Sequence, residues 1–170
     1  PKAAREPMYS TWYDFHQVLS DKELEEECRR GAEIGLRSII VDDGWQTEDT
    51  GRGYGFCGDW EIAKSKFPDM KAHVARIHAL GMKYLIWYTV PFIGIHAKNR
   101  ARFEDKFLCM DGTNGVLDPR YPEVREFLKN TYLTALKEWD LDGFKLDFID
   151  WFSVRGRAEQ KPGMDFLCVQ

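Results

Sequence analysis

The chain has 170 residues, 44% hydrophobic and 31% charged, with a net charge of -4. That composition excludes a disordered chain, and scattered Lys and Arg residues without a block or stripe give no footprint for nucleic acid. No apolar run approaches the length of a membrane span, so no membrane partner is expected.

Short β-like runs alternate with longer helical patterns, the rhythm of a parallel α/β fold. The first run is Met8 to Tyr13. A helix starts at Ser20, with Glu23 three residues on as in a capping box, and ends near Gly35. Leu36 to Val41 is apolar and β-branched and reads as a buried second strand. A polar, Gly-rich loop follows from Asp43 to about Pro68. Asp69 caps the next helix, which carries Val74, Ile77 and Leu80 on one face and stops at Gly81. The third strand is Lys83 to Tyr88, ended by Pro91, and a second long loop spans roughly 92–120. A third helix starts near Pro122 with Val124, Phe127, Leu128, Tyr132 and Leu136 as its apolar stripe. The fourth strand is Gly143 to Phe148, and a weak helical signal follows Asp165.

Four strands joined by helices close into a barrel or stay open and doubly wound. Long loops after strands two and three, with short ones before strands, favour a barrel with its working face at the strand C-termini. A complete (β/α)8 TIM barrel takes roughly 250 residues, so the chain is expected to hold about its first four β/α units. Residues 1–170 then form the N-terminal half of a catalytic domain, truncated on its C-terminal side. The start, Pro1-Lys2-Ala3-Ala4-Arg5, and the apolar end, Phe166-Leu167-Cys168-Val169-Gln170, both read as cut from a longer protein. Without a signal peptide in view, a cytoplasmic location is slightly favoured, and a homo-oligomer stays open.

Carboxylates cluster where these strands end. Asp42 and Asp43 close the second, and Asp147 closes the fourth. Side chains alternate along a strand, so Lys145 and Asp147 share one face, while Phe144, Leu146 and Phe148 share the other and are expected to pack under helices. The inward pair is either a structural ion pair or a carboxylate kept ionised by its cation, as a nucleophilic Asp requires. Asp42-Asp43-Gly44-Trp45 is either ordinary turn chemistry or two acceptors for adjacent sugar hydroxyls, with the indole over the sugar's apolar face. Trp12 and Trp87, late in strands one and three, are core residues or sugar-stacking ones. Asp59-Trp60 lies in a long loop and ranks lower.

The four histidines, His16, His73, His78 and His96, form no ligand set, and His73 and His78 read as ordinary helix residues. The four cysteines, Cys28, Cys57, Cys109 and Cys168, have wide, uneven gaps and read as unpaired structural thiols. No metal site and no phosphate-cradling glycine loop is expected.

Seven motifs resemble glycoside hydrolase family 36, the melibiase-type α-galactosidases, and more broadly the clan that includes families 27 and 31. They are Ser10-Thr11-Trp12-Tyr13, Val41-Asp42-Asp43-Gly44-Trp45-Gln46, Gly58-Asp59-Trp60, Lys66-Phe67-Pro68, Ile86-Trp87, Leu117-Asp118-Pro119 and Lys145-Leu146-Asp147-Phe148, in the family's order across about residues 8–150. The resemblance implies a retaining glycosidase that needs no cofactor and cleaves terminal α-linked galactose from oligosaccharides. It implies Asp147 as nucleophile, Lys145 as a sugar-binding lysine, Asp42 and Asp43 as the carboxylate pair on the galactose hydroxyls, and Trp87 and Trp12 as pocket residues. The family's acid/base Asp comes beyond the sixth strand, after this chain ends, and neither Asp150 nor Asp165 matches its motif. The chain alone is therefore expected to be inactive. Transfer instead of hydrolysis, N-acetylgalactosamine instead of galactose, and a non-catalytic sugar-binding fragment stay open. A magnesium-dependent hydrolase built on Asp42, Asp43 and Asp147 leaves Lys145 unexplained.

Overall fold

A computed structural model describes residues 5–153 and 161–165. The expectations for Cys168, for the two chain ends and for a helix after Asp165 fall largely or wholly outside these residues. The chain divides into two compact units. The first comprises 1–52, 61–88 and 134–145, and the second 53–60, 89–133 and 146–170.

The first unit is α/β. Its sheet has the order β1 (Met8–Ser10), β2 (Ser38–Val41), β3 (Lys83–Thr89), β7 (Gly143–Asp147), with β1–β2 and β2–β3 parallel. β1 and β7 are its edges. The first strand is shorter than expected: Thr11–Tyr13 turn into a single 3-10 turn, which takes Trp12 off the strand.

Helix α1 (Asp21–Glu33) begins where the capping signal places it. Ser20 Oγ accepts from the Glu23 N–H at 3.3 Å, and the Ser20 hydroxyl donates to the Glu23 carboxylate at 2.7 Å. Its buried face is Leu24, Cys28 and Gly31. Helix α2 (Met70–Ala79) is capped by Asp69, whose carboxylate accepts from the Ala72 N–H at 3.0 Å. Its buried face differs from the expected one. Met70, His73, Val74 and Ile77 are buried, and Leu80 is only partly so. Each apolar side chain so buried contributes about 1.5–3 kcal/mol.

His73, read from sequence as an ordinary helix residue, is a core residue of this helix. It is 0% exposed, with Nδ1 2.8 Å from Glu25 Oε1; Glu25 in turn meets Arg76, and Asp21 lies close enough to act on the ring. Burial holds the imidazole below its ordinary 6.5, against the pull of Glu25. The unfolded chain therefore takes up this proton first as pH falls, and the stability present above 6.5 is lost below it. Denaturant titrations should show a fall of at most about 1.4 kcal/mol per pH unit from this group. In His73→Gln that component of the slope should vanish. His78 also has a partner, its Nε2 standing 2.8 Å from Asp142 Oδ2.

The second unit is where the sequence reading differs most from the structure. The stretch read as a loop over 92–120 contains β4 (Phe92–Ile93), the short helix α3 (Arg100–Phe103), β5 (Phe107–Asp111) and β6 (Asn114–Leu117). The strands form an antiparallel sheet of order β4-β6-β5. The β5–β6 hairpin closes through Gly112-Thr113, and Gly112 takes φ 56°, the conformation that the first residue of such a two-residue turn demands. Ile93, Ala97, Phe103, Leu117, Tyr121 and Val124 make this unit's core, with Phe107, Phe127 and Leu128 against it. Helix α4 (Pro122–Trp139) supplies the last of these. Asp59 has a structural task here, since its carboxylate accepts the Lys98 and Asn99 N–H groups at 2.8 and 3.0 Å.

Cys28 and Cys57 are buried free thiols and Cys109 is an exposed one. Burial pushes the Cys28 thiol up to about 12. No helix among the described residues is long and apolar enough to cross a membrane.

Candidate active site

The C-terminal end of β2 delivers Asp42 and Asp43 into a nearly closed environment, 2% and 1% exposed. The Asp42 N–H donates to Thr11 Oγ1 at 2.9 Å, which ties the end of β2 to the turn after β1. Asp42 Oδ1 accepts the Asp43 N–H at 2.9 Å. Its Oδ2 accepts from Lys145 Nζ at 2.8 Å, across 103 positions of sequence. The charge of this buried carboxylate is therefore matched by a cation that is itself about one-third exposed. Strand alternation set Lys145 beside Asp147 as an inward pair; in the structure Lys145 meets Asp42.

Asp43 is held differently. Gln46 Nε2 donates to its Oδ1 at 2.7 Å and Gln17 Nε2 to its Oδ2 at 2.6 Å. Burial raises its pKa above the ordinary carboxylate value; the Gln46 and Gln17 amides oppose that rise, and the neighbouring Asp42 charge adds to it. Gly44, with φ 117°, is required on two counts: a Cβ there would lie 2.6 Å from Gln17 Cα, in a conformation that L side chains rarely adopt. Lys66 Nζ donates to the Gln17 and Gly44 carbonyls at 2.8 and 2.9 Å and closes the cluster from below the turn.

Trp45 does not cover a sugar face. It is fully buried, donates Nε1–H to the Trp87 carbonyl at 2.8 Å, and packs edge-on against Tyr88 and Trp139. The Asp-Gly turn places this indole in the core because β3 lies directly beside β2. Trp87 is 1% exposed on β3. Trp12 is half-buried, its ring edge-on to His16 at 5.0 Å, immediately after the threonine that receives the Asp42 N–H.

The boundary between units falls between Lys145 and Leu146, so Asp147 belongs to the second unit. It is the last residue of β7, half-buried, and its Oδ1 accepts the Phe148 N–H at 3.1 Å. Its carbonyl accepts the Val90 N–H at 3.2 Å. Phe148 adopts a left-handed conformation, φ 61°, and its ring stacks on Phe92 and meets Tyr54 edge-on. That turn ends the strand and fixes where the Asp147 carboxyl emerges. Leu146, expected under a helix, is instead 48% exposed.

The structure thus brings Asp42, Asp43 and Lys145 together. Gln17, absent from the sequence reading, joins them from a turn 26 positions away. No local pattern could have announced it, since its role arises only from the pairing of β1 with β2. Gln46 stood in a quoted motif without a role. Among the described residues, no group of three or more His, Cys, Asp or Glu side chains is placed to hold a metal ion.

Among known proteins, the chain is 28% identical over 160 residues to α-galactosidase Mel36A of Lactobacillus acidophilus, covering 88% of this chain and 20% of the relative. It is 24% identical over 151 residues to α-galactosidase AgaA of Geobacillus stearothermophilus, covering 78% and 20%. The chain thus spans about a fifth of the length of these curated relatives. In fold it is similar to the structure of AgaA in complex with raffinose, with a TM-score of 0.76 at 20% identity, covering 84% of this chain and 21% of the other. It is also similar to TtGalA, an α-galactosidase of Thermus thermophilus in complex with p-nitrophenyl α-D-galactopyranoside, with a TM-score of 0.73 at 22% identity, covering 89% and 32%. The Melibiase family model matches residues 5–159, nearly the whole chain, and the protein therefore belongs to the Melibiase family.

Proposed function

We propose that this chain carries the sugar-gripping residues and the nucleophile of a retaining α-galactosidase, on the first four β/α units of a TIM barrel. The observation that carries the reading is the Lys145–Asp42 pair, a buried strand-end carboxylate that accepts from a lysine 103 positions away. The same strand reaches Asp147 two residues later.

Asp147 attacks the anomeric carbon of a terminal α-linked galactose as the glycosidic bond breaks. A second carboxyl, about 5–5.5 Å away in a retaining enzyme, protonates the leaving oxygen and then activates water. Asp42, Asp43 and Lys145 hold the sugar hydroxyls, and Trp87 and Trp12 shape the pocket. Substrates are α-galactosides of the raffinose and stachyose type, with which relatives of this fold have been crystallised. Contacts that strengthen as the ring flattens toward an oxocarbenium ion accelerate the step; contacts equal in both states only tighten binding.

The test is chemical trapping in the full-length protein. A fluorinated α-galactosyl fluoride that forms the glycosyl-enzyme faster than it is hydrolysed should label one peptide, and fragmentation should place the sugar on Asp147. With an ordinary aryl α-galactoside, the first sugar released should be the α-anomer. Release of the β-anomer would remove the double displacement, and a label on another carboxylate would remove Asp147.

A further inference from the structure

Two acids sit side by side at the end of β2, yet they are held by different chemistry. Asp42 has a cation, Lys145; Asp43 has two neutral amides. A glutamine can present either end of its amide, and here backbone donors decide which. The Arg52 N–H donates to Gln17 Oε1 at 2.7 Å, and the Gly44 N–H donates to Gln46 Oε1 at 3.0 Å. With both amide oxygens engaged, each NH2 group turns to Asp43.

Gln17 is itself immobilised. It is 0% exposed, its carbonyl accepts from Lys66 Nζ, and its Cα lies against Gly44. An ionised carboxylate has about four acceptor directions. The two amides use one on each oxygen, and a carboxylate enclosed to 1% exposure has no room to swing to another orientation.

We propose that Gln17 is a positioning residue for Asp43, its amide fixing the carboxylate in the orientation in which Asp43 receives hydroxyls of the bound sugar, with Gln46 as the second jaw. This rests on the reading that Asp43 grips the sugar. The amide also opposes protonation of Asp43, because it can donate to the ionised form. The charged groups around Asp43 are Asp42 beside it, Lys145 upon Asp42, and Lys66, which also feels Glu48 and Asp49.

The experiment measures kcat and KM for an aryl α-galactoside across pH in the full-length protein. Gln17→Leu should raise KM about tenfold or more, the loss of one hydrogen bond to a charged group, with a smaller change in kcat. The acid limb of its kcat/KM profile should move to higher pH, because the enclosed carboxylate has lost a donor. Gln17→Glu is nearly isosteric and decides the matter if the leucine variant does not fold. While protonated, the introduced carboxyl can still donate to Asp43; once ionised, it faces a like charge. The activity of this variant should therefore fall as pH rises, over a range where the wild type is flat. A lowered Tm with unchanged KM and an unchanged pH profile in both variants would reduce Gln17 to packing and overturn the proposal. Asp43→Ala, measured in parallel, separates the two levels. Wild-type KM in Asp43→Ala would sink the sugar-gripping reading itself. Loss of binding there, with normal Gln17 variants, would sink only the positioning role.

Discussion

Asp147→Ala should lower kcat for an aryl α-galactoside by on the order of 10³-fold or more, about 4 kcal/mol of barrier, while the protein stays folded. The fold is expected to survive because the strand end is anchored mainly by groups that alanine retains. The Asp147 carbonyl still accepts the Val90 N–H, and Phe148 still packs on Phe92 and Tyr54. The Phe148 N–H loses its acceptor, Asp147 Oδ1. Azide should restore turnover, since a small anion fits the space the carboxylate leaves. A single displacement inverts the centre, so the product from an α-galactoside should be the β-galactosyl azide. An α-galactosyl azide would instead assign Asp147 the acid/base role, because the nucleophile would still be present. Full activity in Asp147→Ala would remove it from the chemistry altogether.

The second large effect is expected at the ion pair between Lys145 and Asp42. Lys145→Met should destabilise the protein by about 3 kcal/mol, toward the lower end for a broken buried pair. It should cost more than Asp42→Asn, and the exposures give the reason. The Asp42 side chain is 3% exposed, so without Lys145 its charge is stranded; the Lys145 side chain is 35% exposed, so without Asp42 it can turn to water. The double variant should be less damaged than the sum of the singles, because neither charge remains to be stranded. Urea unfolding of the four proteins measures that coupling. Additive costs would mean that the 2.8 Å contact contributes nothing. Both single variants should also bind α-galactosides more weakly, and for the double variant binding should stay weak even where stability recovers.

The helix starts show how far local chemistry reaches. Ser20 and Asp69 cap α1 and α2 as their side chains dictate, because a cap needs only a donor three residues away. The strands β2, β3 and β7 likewise follow from apolar runs, with boundaries off by one to a few residues. The antiparallel sheet of the second unit was missed although Asp111-Gly112 is a turn signal. Its strands are two to five residues long and too irregular in polarity to show a period of two. On α2, Val74 and Ile77 are buried as their spacing dictates, while the burial of His73, with Glu25 from 48 positions away on its ring, was not legible.

Sequence by itself determined that Asp42, Asp43, Lys145 and Asp147 stand at strand ends, and that Lys145 and Asp147 share a strand face. Alternation and the placement of turn residues are properties of a few consecutive residues, so they can be read before the chain folds. Tertiary structure decided the partners. It set Lys145 against Asp42, sent Trp45 into the core beside Trp87, and brought Gln17 onto Asp43. Each of those outcomes depends on which strand lies next to which, and a carboxylate's charge state, like an indole's burial, is set by neighbours that sequence distance does not reveal.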